Sequence, residues 1–200
     1  MKMNLPNKLT LLRMAMVPFL MVFITFDFGL GIWSRLIAAA FFGLASFTDF
    51  VDGHLARKYN LVTNFGKFMD PLADKLMVFV ALISLCYTTG RDDGTEGSVY
   101  GVCLLVATVI VIFRELAVTS MRMVVTNTDG IVIAANWLGK VKTCVQILAI
   151  LVAILEPMIS YDLLGGHVAS YITLLAMSVM TLWSGFAYFK SYWKYINPAN

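Results

Sequence analysis

Six apolar segments, separated by short polar stretches, follow one another along the chain. They cover residues 11–31, 36–56, 68–89, 99–125, 141–159 and 168–189. A helix needs about 20 apolar residues to cross the hydrocarbon core of a bilayer, and each segment is close to that length or longer. The pattern therefore predicts an all-α integral membrane protein, a bundle of six transmembrane helices.

The composition agrees with a lipid environment. Hydrophobic residues make up 60% of the 200 residues and charged residues only 14%, with a mean hydropathy of +0.80. This is more apolar surface than one soluble core could bury. Because no linker, low-complexity tract or internal repeat interrupts the chain, we expect a single transmembrane domain over residues 1–200.

The basic residues indicate how the chain is oriented. With both termini in the cytoplasm, thirteen of the fifteen lysines and arginines lie on the inner side, and only Arg35 and Arg91 lie outside. The positive-inside rule therefore predicts cytoplasmic termini. Since the basic residues sit at helix ends and form no stripe with interleaved aromatic residues, we expect no nucleic-acid partner.

Four carboxylates interrupt the second and third apolar segments. They are Asp49, Asp52, Asp70 and Asp74. A carboxylate in the middle of a bilayer costs about 2.5–3.5 kcal/mol on insertion scales, so four of them need a compensating partner or a shallow position. The two members of each pair are three or four residues apart, which places each pair on one face of its helix.

The spacing also predicts that the two pairs meet. Asp52 and Asp70 are equally far from residue 61, and Asp49 and Asp74 nearly so. An antiparallel hairpin that turns near Leu61 would bring all four together, with the inner pair about 13 Å from the turn. Clustered carboxylates repel one another unless cations lie between them, and oxygen donors suit Mg²⁺ or Mn²⁺. We therefore predict a site for two divalent cations, open to the cytoplasm.

Neighbouring residues favour a phosphate-containing ligand. Gly53 and Gly66 lack side chains, so a nucleotide could approach the backbone closely there. Arg57 can reach a phosphate from the same helix as Asp52. Pro71 is tolerated in the first turn of a helix, so we expect the third helix to begin near Gly66 and to direct its positive end at the site.

These residues together resemble a family signature. The pattern Asp49-x2-Asp52-Gly53-x2-Ala56-Arg57-x8-Gly66-x3-Asp70-x3-Asp74 is similar at all eight fixed positions to that of the CDP-alcohol phosphotransferases. Three shorter segments, residues 6–13, 114–115 and 139–143, resemble the phosphatidylglycerophosphate synthases of that family.

The resemblance implies a reaction and residue roles. The phosphatidyl group of CDP-diacylglycerol would pass to an acceptor alcohol, with release of CMP. Asp49, Asp52 and Asp70 would bind metal, and Asp74 would bind metal and take the proton of the acceptor hydroxyl. The expected CDP-diacylglycerol site comprises Asn7, Thr10, Arg13, Gly53, Ala56, Arg57 and Gly66. For Asn7, Thr10 and Arg13, anchoring at the membrane interface is an equally open alternative.

A second group of basic residues predicts the acceptor. Arg114, Arg122, Lys140 and Lys142 lie at the cytoplasmic ends of the fourth and fifth segments. Such groups pair with phosphate oxygens, which favours glycerol 3-phosphate. Inositol phosphate, serine or phosphatidylglycerol remain alternative acceptors, and a purely topological role is the alternative for the residues themselves.

Other function classes fit less well. Intramembrane carboxylates also mark cation transporters, but here they group near one membrane face and no inverted repeat is present. A purely structural membrane protein would leave the four carboxylates unexplained. The family resemblance further implies an enzyme of the inner cell membrane, facing the cytoplasm, and a homodimer. Small residues on the second and sixth segments, such as Gly43 and Gly185, would suit packing between or within protomers.

Overall fold

The structure is a computed structural model that describes residues 5–26, 28–58, 64–92, 99–129, 137–163 and 167–196. Within these ranges, side chains are described except at residues 5–6, 50–58, 64–65, 67–68, 91–92, 126–129, 159–163 and 194–196.

Six α-helices account for almost all of the described residues. They are α1 (Leu5–Thr25), α2 (Ile32–Lys58), α3 (Asn64–Asp92), α4 (Val99–Asp129), α5 (Trp137–Leu163) and α6 (Val168–Ile196). No strand occurs in the described ranges. Five helices, all except α2, are long and apolar enough to cross a bilayer. The prediction of an all-α, multi-pass membrane protein is therefore confirmed.

Charged residues lower the hydropathy of helix α2. It is 27 residues long, so its length suffices for a membrane crossing. Arg35 near its start, and Asp49 and Asp52 in its last third, reduce its hydropathy. The two helices that carry the aspartates, α2 and α3, are the least apolar of the six.

Two predicted boundaries are wrong. Helix α1 ends at Thr25 instead of residue 31, because Phe28, Gly29 and Gly31 adopt positive φ angles of 51°, 72° and 53° that end a right-handed helix. Helix α3 begins at Asn64, so Pro71 lies beyond the first turn. Its ring removes the hydrogen bond to the carbonyl of residue 67, and its side chain is exposed.

The helices pack as two groups of three. Helix α1 packs extensively against both α2 and α3, and α6 packs against both α4 and α5. Contacts of α2 with α5 and of α3 with α4 join the two groups. Large buried side chains from both groups form one core, which includes Leu20, Phe42, Met77, Leu104, Ile150 and Met177.

The predicted hairpin turn between α2 and α3 stays a prediction. In the described part of the chain, α2 and α3 make few contacts with each other, whereas both contact α1 along its length. The predicted turn near Leu61 falls in residues 59–63, outside the described residues. Within the described residues, α1 therefore joins the two aspartate-bearing helices.

A buried carboxylate caps helix α6. Glu156 on α5 is 4% exposed, and its two oxygens accept hydrogen bonds from the backbone N–H groups of Ala169 and Ser170, each at 2.8 Å. The first N–H groups of a helix have no partner within it, and an acceptor there stabilises the helix end. Glu156 thus joins α5 to the start of α6.

This contact predicts a loss of stability on substitution. Glu156→Ala should lower the free energy of unfolding by about 2 kcal/mol, because two buried N–H groups lose their acceptor. Glu156→Gln keeps one acceptor oxygen and should lose less. Unfolding of the detergent-solubilised protein, followed by circular dichroism, measures both. Equal stability of the alanine variant and the native protein would contradict the capping role.

Candidate active site

Two side chains of α1 hold two of the predicted aspartates. Arg13 Nη1 lies 2.5 Å from Asp49 Oδ1 on α2, and Thr10 Oγ1 donates to Asp70 Oδ1 on α3 at 2.6 Å. Because Thr10 and Arg13 are three residues apart, both point from one face of α1. Helix α1 therefore places carboxylates from two different helices side by side.

The side chains of α1 in this site are buried, whereas Asp49 is partly exposed. The side chain of Arg13 is 0% exposed, whereas that of Asp49 is 41% exposed. Thr10 and Asn7 are also buried. The α1 side of the site is thus closed by the protein, while Asp49 remains accessible to a ligand. This arrangement gives Thr10 and Arg13 a structural role that the sequence did not reveal; direct contact with CDP-diacylglycerol stays a prediction for both, as for Asn7.

Asp74 lies one turn further along α3 and is half-buried. The charges of Asp49, Lys142, Arg13 and Glu115 all act on its carboxylate. Asp49 and Arg13 belong to the site on α1 and α2, and Lys142 and Glu115 belong to α5 and α4. The charges of both the acidic group on α1 and α2 and a second, basic group on α4 and α5 therefore act on Asp74.

Part of the predicted signature cannot be placed in detail. The side chains of Asp52, Ala56 and Arg57, and the surroundings of Gly53, lie outside the described residues, although their backbone belongs to α2. Gly66 is buried in the first turn of α3.

The donor chemistry fits the predicted divalent cations. Asp49, Asp70 and Asp74 supply carboxylate oxygens, which Mg²⁺ and Mn²⁺ prefer, and the accessible carboxylate of Asp49 could be reached from solvent. Among the described side chains, no three acidic, histidine or cysteine groups form a complete metal-binding cluster. The predicted set of four includes Asp52, so the described residues provide only part of it.

The second group is centred on Glu115 of α4. Arg114 Nη1 donates to Glu115 Oε1 at 2.8 Å, and Lys142 Nζ of α5 donates to the same oxygen. The side chains are 10%, 14% and 6% exposed for Arg114, Glu115 and Lys142. One carboxylate thus faces two buried cations, so the group as a whole is positive.

Arg114 is also fixed to α6. Its Nη2 donates to Ser184 Oγ at 2.5 Å, and its guanidinium carbon lies 5.5 Å from the centre of the Tyr188 ring. A Cβ atom at Gly185 would lie 3.0 Å from Arg114 Cγ. Gly185 therefore allows close packing within the protomer, and Arg114 has a structural role beside any role in binding.

The other predicted acceptor residues lie further out. Arg122 and Lys140 are exposed. The charge of Arg122 acts on Lys75, a half-buried residue of α3. No contact of Lys140 with the basic group is recorded among the described residues, so acceptor binding by Arg122 and Lys140 stays a prediction.

Sequence reasoning missed Glu115, Lys75, Ser184 and Tyr188 as parts of this group. Glu115 could have been found, because it is a carboxylate inside a long apolar segment, as the four aspartates are. Ser184 and Tyr188 gave no such signal, since polar hydroxyls are common in membrane helices and their partner Arg114 is 70 residues away from Ser184 in sequence.

Comparison with known proteins finds relatives over almost the whole chain. The family model for CDP-alcohol phosphatidyltransferase matches residues 3–188. A Bacillus subtilis protein named CDP-diacylglycerol--glycerol-3-phosphate 3-phosphatidyltransferase is 40% identical, over 98% of this chain and 99% of its own. Proteins of the same name from Rickettsia bellii and Yersinia enterocolitica are 36% and 33% identical, over 96% and 97% of this chain and 97% of their own.

The basic group predicts an asymmetry in stability. Glu115→Gln leaves two buried cations without their shared carboxylate and should lower the free energy of unfolding by about 3 kcal/mol or more. Lys142→Met leaves Glu115 paired with Arg114 and should cost less. Unfolding of both variants in detergent gives the comparison. If Lys142→Met is the more destabilising change, Glu115 does not neutralise both cations.

Proposed function

The chain belongs to the CDP-alcohol phosphatidyltransferase family, and we propose that it transfers the phosphatidyl group of CDP-diacylglycerol to glycerol 3-phosphate. The products are phosphatidylglycerophosphate and CMP. Relatives named for this reaction match almost the whole chain. The observation that carries the assignment within the site is the position of Asp74 between the aspartates held by α1 and the basic group around Glu115.

This position suits a transfer between two phosphate-containing substrates. The hydroxyl oxygen of glycerol 3-phosphate forms a bond to the phosphorus that carries diacylglycerol, and the bond from that phosphorus to the oxygen of CMP breaks. CMP leaves with the electron pair of that bond. Asp74 accepts the hydroxyl proton, and nearby Lys142 and Arg13 offset the negative charge that gathers around it.

We propose two divalent cations, Mg²⁺ or Mn²⁺, bound by Asp49, Asp52, Asp70 and Asp74. When bound, they would supply positive charge to the pyrophosphate of the donor and to departing CMP. The role of the protein is to hold the carboxylates in place. Arg13 fixes Asp49 and Thr10 fixes Asp70, so both are positioned before any ligand arrives.

The basic group supports a phosphorylated acceptor. The two positive charges of Arg114 and Lys142 exceed the single negative charge of Glu115. All three side chains are largely buried, and buried charges are screened less than charges in water. Serine, which lacks a phosphate, would leave this excess positive charge unbalanced. Inositol phosphate and phosphatidylglycerol carry phosphate and are distinguished by experiment.

We further propose that the chain forms a single domain with six membrane spans, α2 included, and that both termini lie in the cytoplasm. The aspartates and Lys142 lie towards the ends of α2, α3 and α5 that this orientation places inside. The enzyme would act in the inner cell membrane with its site facing the cytoplasm, as a homodimer. The excess of basic residues on the same side supports the orientation.

The decisive experiment measures CMP release. Detergent-purified protein is incubated with CDP-diacylglycerol, with and without glycerol 3-phosphate and Mg²⁺ or Mn²⁺, and compared with Asp70→Asn. We expect release that requires acceptor and cation and is lost in the variant. Activity only with inositol phosphate, serine or phosphatidylglycerol would change the acceptor. Absence of release with every alcohol would refute the proposed reaction.

Helix α1 generates a second test. Thr10→Val removes the hydrogen bond to Asp70 and should lower kcat about 10- to 100-fold, the effect of losing one hydrogen bond to a charged group. Thr10→Ser retains the hydroxyl and should keep most of the activity. The Mn²⁺ concentration that gives half-maximal activity should rise in the valine variant alone. Equal behaviour of the two variants would show that the hydroxyl is dispensable.

A further inference from the structure

We propose that Lys75 binds the phosphate of the acceptor and helps the enzyme to select a short phosphorylated alcohol. The inference rests on the proposed function and concerns a residue outside the predicted site. Lys75 follows Asp74 directly on α3 and is half-buried. A buried ammonium group is costly in a membrane protein and indicates either a structural partner or a ligand.

The contacts of Lys75 direct it away from the aspartates. Its Nζ donates to the hydroxyl of Thr119 on α4, and that hydroxyl donates in turn to the backbone carbonyl of Glu115 at 2.7 Å. Because the hydroxyl proton is engaged by the carbonyl, the lone pairs of Thr119 face Lys75. Thr119 and the carbonyl of Glu115 thus hold the ammonium group of Lys75 beside the basic group formed by Arg114, Glu115 and Lys142.

Within the described part of the chain, Lys75 uses only one of its hydrogen-bond donors. An ammonium group has three N–H donors, and Thr119 is its only hydrogen-bond partner among the described residues. No described carboxylate forms an ion pair with it. Two donors therefore remain for an anion inside the bundle, which is the chemistry that a phosphate group provides.

The surrounding charge fits the same ligand. The charges of Glu115, Arg122, Asp74 and Lys142 act on Lys75. Glu115 pairs with Arg114 and Lys142, and Lys75 adds a third positive charge beside this group, so these four side chains carry an excess of two positive charges. A phosphate monoester carries between one and two negative charges near neutral pH, and it matches this excess.

The position of Lys75 also limits the length of the acceptor. Consecutive residues of a helix have α-carbons about 3.8 Å apart, and their side chains diverge by about 100° around the axis. Asp74 would receive the proton of the attacking hydroxyl while Lys75 binds the phosphate. An acceptor that contacts both residues carries a hydroxyl and a phosphate in one small molecule, as glycerol 3-phosphate does.

The kinetic test compares Lys75→Gln with the native protein. KM for glycerol 3-phosphate should rise about 10- to 100-fold, as expected for the loss of a charge-assisted contact. KM for CDP-diacylglycerol should not change. Lys75→Arg, which keeps the charge, should restore most of the affinity. Lys190→Gln removes an exposed lysine of α6 and serves as the matched control with native kinetics.

The preference of the enzyme for a phosphorylated acceptor distinguishes phosphate binding by Lys75 from a purely structural role of Lys75. The ratio of kcat/KM for glycerol 3-phosphate to that for glycerol should fall in Lys75→Gln and stay constant in Lys190→Gln. A variant that is only partly unfolded would lose activity with both acceptors equally. An unchanged KM for glycerol 3-phosphate together with an unchanged ratio would overturn the proposal.

A labelling experiment on the native protein does not depend on how the variants fold. Reductive methylation followed by mass spectrometry measures the reactivity of each lysine. Glycerol 3-phosphate should protect Lys75, glycerol should not, and Lys190 should react equally in all samples. Reaction of Lys75 that is insensitive to glycerol 3-phosphate, in a protein that uses this acceptor, refutes the role of Lys75 alone. A native protein inactive with glycerol 3-phosphate refutes the proposed function instead.

Discussion

The ion pair between Arg13 and Asp49 joins a fully buried guanidinium to a carboxylate that is still 41% exposed. Burying a charge in a membrane protein costs several kcal/mol, and the carboxylate of Asp49 offsets part of that cost for Arg13. Together with the hydrogen bond from Thr10 to Asp70, this pair explains why α1 packs against both α2 and α3. The acidic part of the site depends on this one helix.

The cost of burying charge also applies to the group on α4, α5 and α6. There positive charges outnumber negative ones, whereas the group on α1, α2 and α3 is acidic. Glu115 accepts from Arg114 and Lys142, and Arg114 extends the network to Ser184 on α6. Three helices are thereby joined around an excess of positive charge. Since Asp74 lies within reach of both centres, a substrate with an alcohol at one end and a phosphate at the other can contact each centre with the matching group.

The sequence predicted what depends on spacing and missed what depends on packing. The aspartate pairs and the helical segments follow from periodicity and hydropathy, which are local properties. The partners of those aspartates are 36 and 60 residues away in sequence, and no local pattern indicates that α1 lies against both α2 and α3. The early end of α1 depends on the positive φ angle of Phe28, a conformation that few residues other than glycine adopt.

The proposed binding of phosphate by the basic group raises the question of why this group contains the carboxylate of Glu115. The reaction leaves the acceptor phosphate attached to the lipid product, so whatever binds the substrate phosphate also binds the product phosphate. Three buried cations without a counter-charge would bind both very tightly, and uniform binding of this kind slows release without lowering the barrier of the chemical step. By pairing with Arg114 and Lys142, Glu115 lowers the cost of burying these two cations in the bundle. It also limits the net attraction of the group for phosphate. A site that must release a phosphorylated, anionic lipid into the bilayer needs both effects.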